Sequence, residues 1–221
     1  MIIFKSLKSA CLLATSSALV VFSSSFANAT LLDPGSSIML RSAHEPKEGH
    51  LLAQTNFSFT SAAFTGTLTS KVWDEDDSNP WGGITFTYKL SNTSDCSESL
   101  GLFALRGFSH LLTDVNYSGS GIAPRTVSRS TDGNQITFGF FDRYGAETLL
   151  PGGTSAWLVI QTGCTTWGLN QLVGLDSIEV LAPAFTPQPV TEPASGALLI
   201  AGSMVFLTRN LPRKTRHGWT K

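Results

Sequence analysis

Residues 82–92, GGITFTYKLSN, decide the fold. Ile84, Phe86, Tyr88 and Leu90 occupy every second position, and the residues between them are polar. Successive side chains of a strand point to opposite faces, so this spacing predicts a strand with one face in a core and one turned outward. The same period of two recurs at Phe57, Phe59 and Ser61 in TNFSFTS, and at Ile136, Phe138 and Phe140 in QITFGFF. It recurs again at Ala156, Leu158 and Ile160 in TSAWLVIQT, and FTGTLTSKVW, LGLFALRGF and DSIEVLA are further strand candidates. Turn-forming clusters separate these runs: Asn79-Pro80-Trp81-Gly82-Gly83, Gly119-Ser120-Gly121, Asp132-Gly133-Asn134 and Pro151-Gly152-Gly153. No sustained helical repeat and no internal duplication interrupts them. The expectation is an all-β domain over residues 54–183, an antiparallel β-sandwich of jelly-roll or immunoglobulin-like type with seven or eight strands.

Charge is distributed by region. Of 221 residues only 14% are charged, and the formal net charge of −1 hides a segregation of signs. Between Thr30 and Pro189 there are 8 basic residues against 15 acidic, a net of −7. Phosphate binding needs clustered Lys and Arg, so an acidic middle argues against nucleic acid as partner. Basic residues gather instead at the two ends, beside apolar stretches, which is a membrane-topology pattern.

Residues 1–29 read as a signal peptide. Lys5 and Lys8 precede an apolar run from Cys11 to Phe22, and Ala27-Asn28-Ala29 supplies the small-x-small cleavage pattern, so the expected mature chain starts at Thr30. Residues 30–53 are polar and predict an irregular leader. Residues 184–193 belong to a Pro-rich stretch, PAFTPQPVTEP, that predicts an extended linker. An uncharged segment follows within 194–208, and residues 209–221 carry Arg209, Arg213, Lys214 and Arg216. The 14 residues from Ala194 to Leu207 make a helix of roughly 21 Å, short of a hydrocarbon core of roughly 30 Å. The positive-inside rule and the small residues Gly196, Ala197, Ala201, Gly202 and Ser203 nevertheless favour a short transmembrane helix with a basic cytoplasmic tail. A plain membrane anchor and a core helix are the alternatives.

Val190-Thr191-Glu192-Pro193, the apolar span and the Arg-rich end together resemble the PEP-CTERM sorting signal of exported bacterial proteins. The resemblance covers about thirty residues, and Thr191 stands where the family motif has its first proline. It implies an exosortase-type membrane protease or transpeptidase as partner. It also implies a path from inner-membrane anchoring to the cell envelope, outer surface or extracellular polysaccharide matrix. A second resemblance covers Thr65 to Pro183. The order TGTLTSKVW, GGITFTYKLSN, LTDVNY, APRTVSRSTDGNQITFGF, LLPGGTSAWLVIQT and SIEVLAP is similar to the β-domain common among such sorted proteins. That likeness supplies no catalytic residue.

The chemistry-bearing candidates are few. Cys96 and Cys164 remain after signal cleavage, and in an oxidising compartment a leftover pair most simply forms one disulfide, with two free buried thiols as the alternative. Closing a loop of about 68 residues would stabilise the fold by up to about 4 kcal/mol. VWDEDDSNPWGG sets Asp74, Glu75, Asp76 and Asp77 before a Gly-rich turn. Oxygen ligands on a loop suit Ca²⁺, with Asp74, Asp76 and Asp77 as the weak candidates, but the EF-hand spacing is absent and a solvated acidic loop is the favoured expectation. Trp73, Trp81, Trp157 and Trp167 offer faces for sugar rings, although core packing is the commoner use, and Trp81 in its Gly-rich loop is the one to test. A surface-displayed carbohydrate- or calcium-binding module is thus the second functional reading. No G-x-S-x-G, H-E-x-x-H, phosphate-binding loop or dinucleotide fingerprint occurs, and His44, His50, His110 and His217 are scattered. Catalysis is not expected, and a glycan hydrolase using scattered carboxylates is the remotest alternative.

Overall fold

A computed structural model of the protein describes residues 30–40, 49–61, 64–93, 95, 98–141, 148–176 and 178–188. These residues form twelve strands and no helix. In chain order they are β1 (Thr30–Leu31), β2 (Ser37–Met39), β3 (His50–Thr60), β4 (Thr65–Asp74), β5 (Thr85–Asn92) and β6 (Leu102–Arg106). Then follow β7 (Thr113–Ser118), β8 (Thr126–Arg129), β9 (Gln135–Gly139), β10 (Trp157–Thr162), β11 (Trp167–Leu175) and β12 (Ile178–Pro187). One six-stranded sheet has the order β1-β7-β10-β5-β4-β3 and the other β12-β11-β6-β9-β8-β2. Every paired ladder is antiparallel.

The two sheets bury their inner faces against each other in a sandwich-like, all-β arrangement. Phe86, Tyr88 and Leu90 of β5 point into the core with no exposure, as the alternation of residues 82–92 requires, and they meet Phe103, Phe138 and Leu105 from the opposite sheet. Tyr88 and Phe103 pack across the gap with ring centroids 5.9 Å apart, and Phe86 meets Phe108 edge-on at 6.2 Å. Such aromatic pairs add about 0.5–1.5 kcal/mol beyond the area they bury. The Tyr88 hydroxyl donates to the Phe185 carbonyl of β12 at 2.6 Å, so the one polar atom of this ring is satisfied inside the core. Burial raises the Tyr88 pKa well above that of a free phenol, and the ring stays neutral. Beside it the Phe185 amide donates to Ser70 Oγ of β4, which brings edge strand β12 against the first sheet.

The Asp132-Gly133-Asn134 signal makes the tight connection between β8 and β9. Ser130 N donates to Gln135 O, and Gly133 takes φ +71°, a left-handed conformation that costs glycine little.

One knot in this fold has no signature in the sequence. Arg129, only 5% exposed, donates all five of its N–H groups. Nε reaches Gly133 O (2.9 Å), Nη1 reaches Leu32 O (2.9 Å) and Thr113 Oγ1 (3.0 Å), and Nη2 reaches Phe108 O (2.7 Å) and Leu111 O (2.8 Å). The guanidinium thereby fastens the segment after β1, the approach to β7 and the β8–β9 hairpin into one unit.

The structure changes several sequence-based boundaries. The region 30–53 is not an irregular leader in its described parts: it holds β1, β2 and the start of β3, and Leu32 lies in the core. Strand structure also continues past Pro183, because β12 runs to Pro187 and pairs Pro187 with Trp167. Residues 184–187, expected to open a Pro-rich linker, therefore belong to the sheet, and residues 189–193 lie outside the described residues. Twelve strands replace seven or eight; the additional ones are short (β1, β2, β8) or poor in alternation (β7, β11).

Candidate functional site

The acidic connection between β4 and β5 is a folded turn built on two side chains. Asp76 Oδ1 accepts from Ser78 N (3.0 Å) and Ser78 Oγ (2.6 Å), and Oδ2 accepts from Thr85 Oγ1 (2.8 Å) and Gln161 Nε2 (3.0 Å). Asn79 completes the turn: its amide donates to Gly83 O (2.8 Å) and Thr162 O (3.1 Å), and its oxygen accepts from Trp81 N (3.0 Å). Burial pushes the Asp76 carboxyl up, but the donors Ser78, Gln161 and Thr85 outweigh it, and its pKa falls below the ordinary carboxylate value. The expectation of a solvated loop is corrected at this residue, which is only 5% exposed.

The three calcium candidates do not converge. Both oxygens of Asp76 are taken by protein donors, Asp77 is exposed, and Asp74 Oδ1 stands 3.3 Å from His50 Nδ1. Among the described residues no three His, Cys, Asp or Glu side chains gather as a metal-binding group.

Cys164 lies at the end of β10 as a free, buried thiol. Its Sγ accepts from Thr162 Oγ1 at 3.0 Å, and burial pushes its pKa up despite that bond. A thiol so held stays protonated and is a poor nucleophile. The expected Cys96–Cys164 disulfide is not formed among the described residues, and the topology explains why. Ile84 N donates to Cys164 O at the start of β5, whereas Asn92 ends that strand. The eight residue steps between them span about 26 Å. Cys96 itself lies outside the described residues, but its neighbours Asp95 and Glu98 are held at the far end, Asp95 by the Thr93 hydroxyl and Glu98 O by the Asn92 amide. A disulfide needs Cα atoms within about 7 Å.

Beside Cys164 a cleft of ≈ 560 Å³ opens among Gly107, His110, Leu111, Asn134, Thr166 and Gln188. His110 sits on its rim at φ +62°. No second titratable side chain accompanies His110 in this lining other than the protonated Cys164 thiol, so no general acid–base pair is assembled there.

The four candidate tryptophans separate into different environments. Trp167 packs edge-on against Phe185 at 5.2 Å and joins the core. Trp81 is half-buried beside Gly163, with its indole N–H enclosed and without an acceptor, so it is not the open platform that its Gly-rich loop suggested. Trp73 and Trp157 lie on the outward side of the first sheet. Trp73 Nε1 donates to Thr87 Oγ1 at 3.0 Å, and Lys71 Nζ lies 5.5 Å from the Trp73 ring centroid and 4.5 Å from that of Trp157. Lys89 Nζ approaches the Trp157 ring as well, at 5.5 Å. Sequence reasoning missed this pairing because it depends on register between β4, β5 and β10, which no local pattern reveals.

The sorting residues Val190, Thr191, Glu192 and Pro193, the signal-cleavage residues Ala27 and Ala29, and Arg209, Arg213, Lys214 and Arg216 lie outside the described residues. Among the described residues no helix is long and apolar enough to cross a membrane. No family model, no curated protein and no solved structure matches the chain.

Proposed function

We propose that the chain is an exported, non-catalytic surface or matrix protein of a bacterium. Its β-sandwich would be carried to the membrane by the signal peptide 1–29 and held there by the helix 194–208, then freed by an exosortase-type enzyme near Glu192-Pro193. The order of pieces at the C-terminus carries this reading: prolines and Glu192, an uncharged span, then Arg209, Arg213, Lys214 and Arg216. The fold is compatible with both cuts. Thr30, the first residue of the expected mature chain, opens β1, and β12 closes at Pro187, so cleavage before Thr30 and near Glu192 leaves every described strand whole.

Cell fractionation tests the proposal. The full chain is expected to pass through a membrane-bound precursor on its way to the envelope or medium. A chain stopped after Gln188 is expected to bypass that precursor and appear as soluble protein outside the cytoplasm. Identical distribution of the two, or retention of both in the cytoplasm, would overturn it.

A further inference from the structure

The outward side of the first sheet holds two ammonium groups over one indole. Lys71 Nζ and Lys89 Nζ stand 4.5 Å and 5.5 Å from the Trp157 ring centroid. They are therefore no more than about 10 Å apart, close to one Debye length at moderate salt. Neither is neutralised by a carboxylate: the ion pairs among the described residues are His50–Asp74 and Arg106–Glu179. A domain with a net charge of −7 over residues 30–189 thus sets two like charges side by side and leaves them without acidic partners. The indole faces lower the cost of that placement but leave the ammonium donors unused.

The register of the sheet lays a polar strip next to this pair. Lys71 is opposite Gln54 of β3 and Thr87 of β5, and Lys89 is opposite Thr69, which is itself opposite Asn56. Gln54 and Asn56 are exposed, while Lys71, Lys89, Trp73 and Trp157 are half-buried. From the sheet edge inward, the amides of β3 give way to Lys71 on β4 and Lys89 on β5, and then to the Trp157 ring on β10. Hydrogen-bonding side chains suit hydroxyls, and two adjacent cations suit carboxylates.

We propose that this face is a binding site for an acidic polysaccharide, a linear polymer of uronate type, with Lys71 and Lys89 receiving its carboxylates. The proposal goes beyond the sorting reading and does not depend on it. Nucleic acid is the less suitable polyanion, because single strands bind through bases stacked on open aromatic faces, and here the ammonium groups of Lys71 and Lys89 stand over the Trp157 ring.

The test is retention of the purified protein in affinity electrophoresis through gels containing alginate or polygalacturonate, with neutral dextran and single-stranded oligothymidylate in parallel. Retention is expected on the uronate polymers alone, weakening with added salt. The double variant Lys71→Gln, Lys89→Gln is expected to lose affinity by about tenfold, and Lys71→Arg, Lys89→Arg to keep it. Titration with alginate should quench tryptophan fluorescence in the natural protein and not in the glutamine variant, whose melting curve serves as the folding control. Equal retention on dextran would overturn the ionic basis of the site, and equal retention on oligothymidylate would overturn its selectivity for sugar. No retention on any polymer would overturn the site itself.

Discussion

Asp76 and Asp114 are buried to almost the same degree, 5% and 4% exposed, and both neighbour Gln161. Gln161 Nε2 donates to Asp76, and Gln161 is the cross-strand partner of Asp114 in the β10–β7 ladder. Their charge states nevertheless move in opposite directions. Four protein donors hold Asp76 below the ordinary carboxylate range. Asp114 Oδ1 is buried without a donor, and burial pushes its pKa up from 3.8 to about 6. Donors decide whether a buried carboxylate stabilises a sheet or burdens it; depth alone does not. Arg129 extends the comparison to a cation, with all five donors satisfied by neutral acceptors.

The largest effect is expected where a fully satisfied group is removed. Arg129→Met strands the carbonyls of Leu111 and Gly133, leaves those of Leu32 and Phe108 with one donor each (Thr113 Oγ1 and Leu111 N), and should cost about 3–5 kcal/mol in chemical denaturation. A loss below about 1 kcal/mol would show that water replaces the guanidinium at little cost. Asp76→Ala comes next: it leaves Ser78 N and the Thr85 hydroxyl without their acceptor, removes one of the two acceptors of the Gln161 amide, and should cost about 2–3 kcal/mol. Wild-type stability after this substitution would place the turn's strength in Asn79 instead.

Asp114→Asn should act in the opposite direction. The folded state raises the Asp114 pKa, so its contribution is fully present below about pH 4 and is lost as pH rises through about 6. Asp76 has the reverse sign: its lowered pKa gives stability above the ordinary value, lost as pH falls through the folded value. Replacing Asp114 with asparagine should therefore remove a decline between pH 4 and 6 and leave the variant on the order of 1 kcal/mol more stable, relative to the natural protein, at pH 7 than at pH 4. Melting temperatures measured across that range would show it, and parallel curves would contradict it. The smallest expected effect is none at all. A reductant should leave the melting temperature unchanged, because Cys164 is a free thiol stabilised by Thr162; a clear drop would restore the disulfide.

The sequence made the core side of the long strands legible. In β3, β4 and β9 period two reads directly as burial, whereas in β5 and β10 it marks only the core face, because Thr85, Thr87, Val159 and Gln161 of the other face are covered as well. β11 resisted because Gly168, Asn170 and Gln171 dilute the pattern and the ladder shifts between Asn170 and Leu172, where a bulge breaks alternation. β12 was cut short at Pro183 because proline reads as linker. On the edge of a sheet, however, one row of amide donors goes unused and proline is tolerated. Arg129 looked like any surface cation, since its partner Leu32 lies 97 residues away. Cys164 is free rather than paired as expected, and chain spacing alone carries no information on whether two cysteines meet. The Lys71–Trp157 contact depended on the same missing register.

The proposed function requires two cuts, before Thr30 and near Glu192, and the intact mass of the protein recovered from cell envelope or medium tests them together. The predicted mass corresponds to a chain that starts at Thr30 and ends near Glu192, alone or joined to a carrier group at that end. A mass that retains residues 1–29, or that runs on through Lys221, would contradict it.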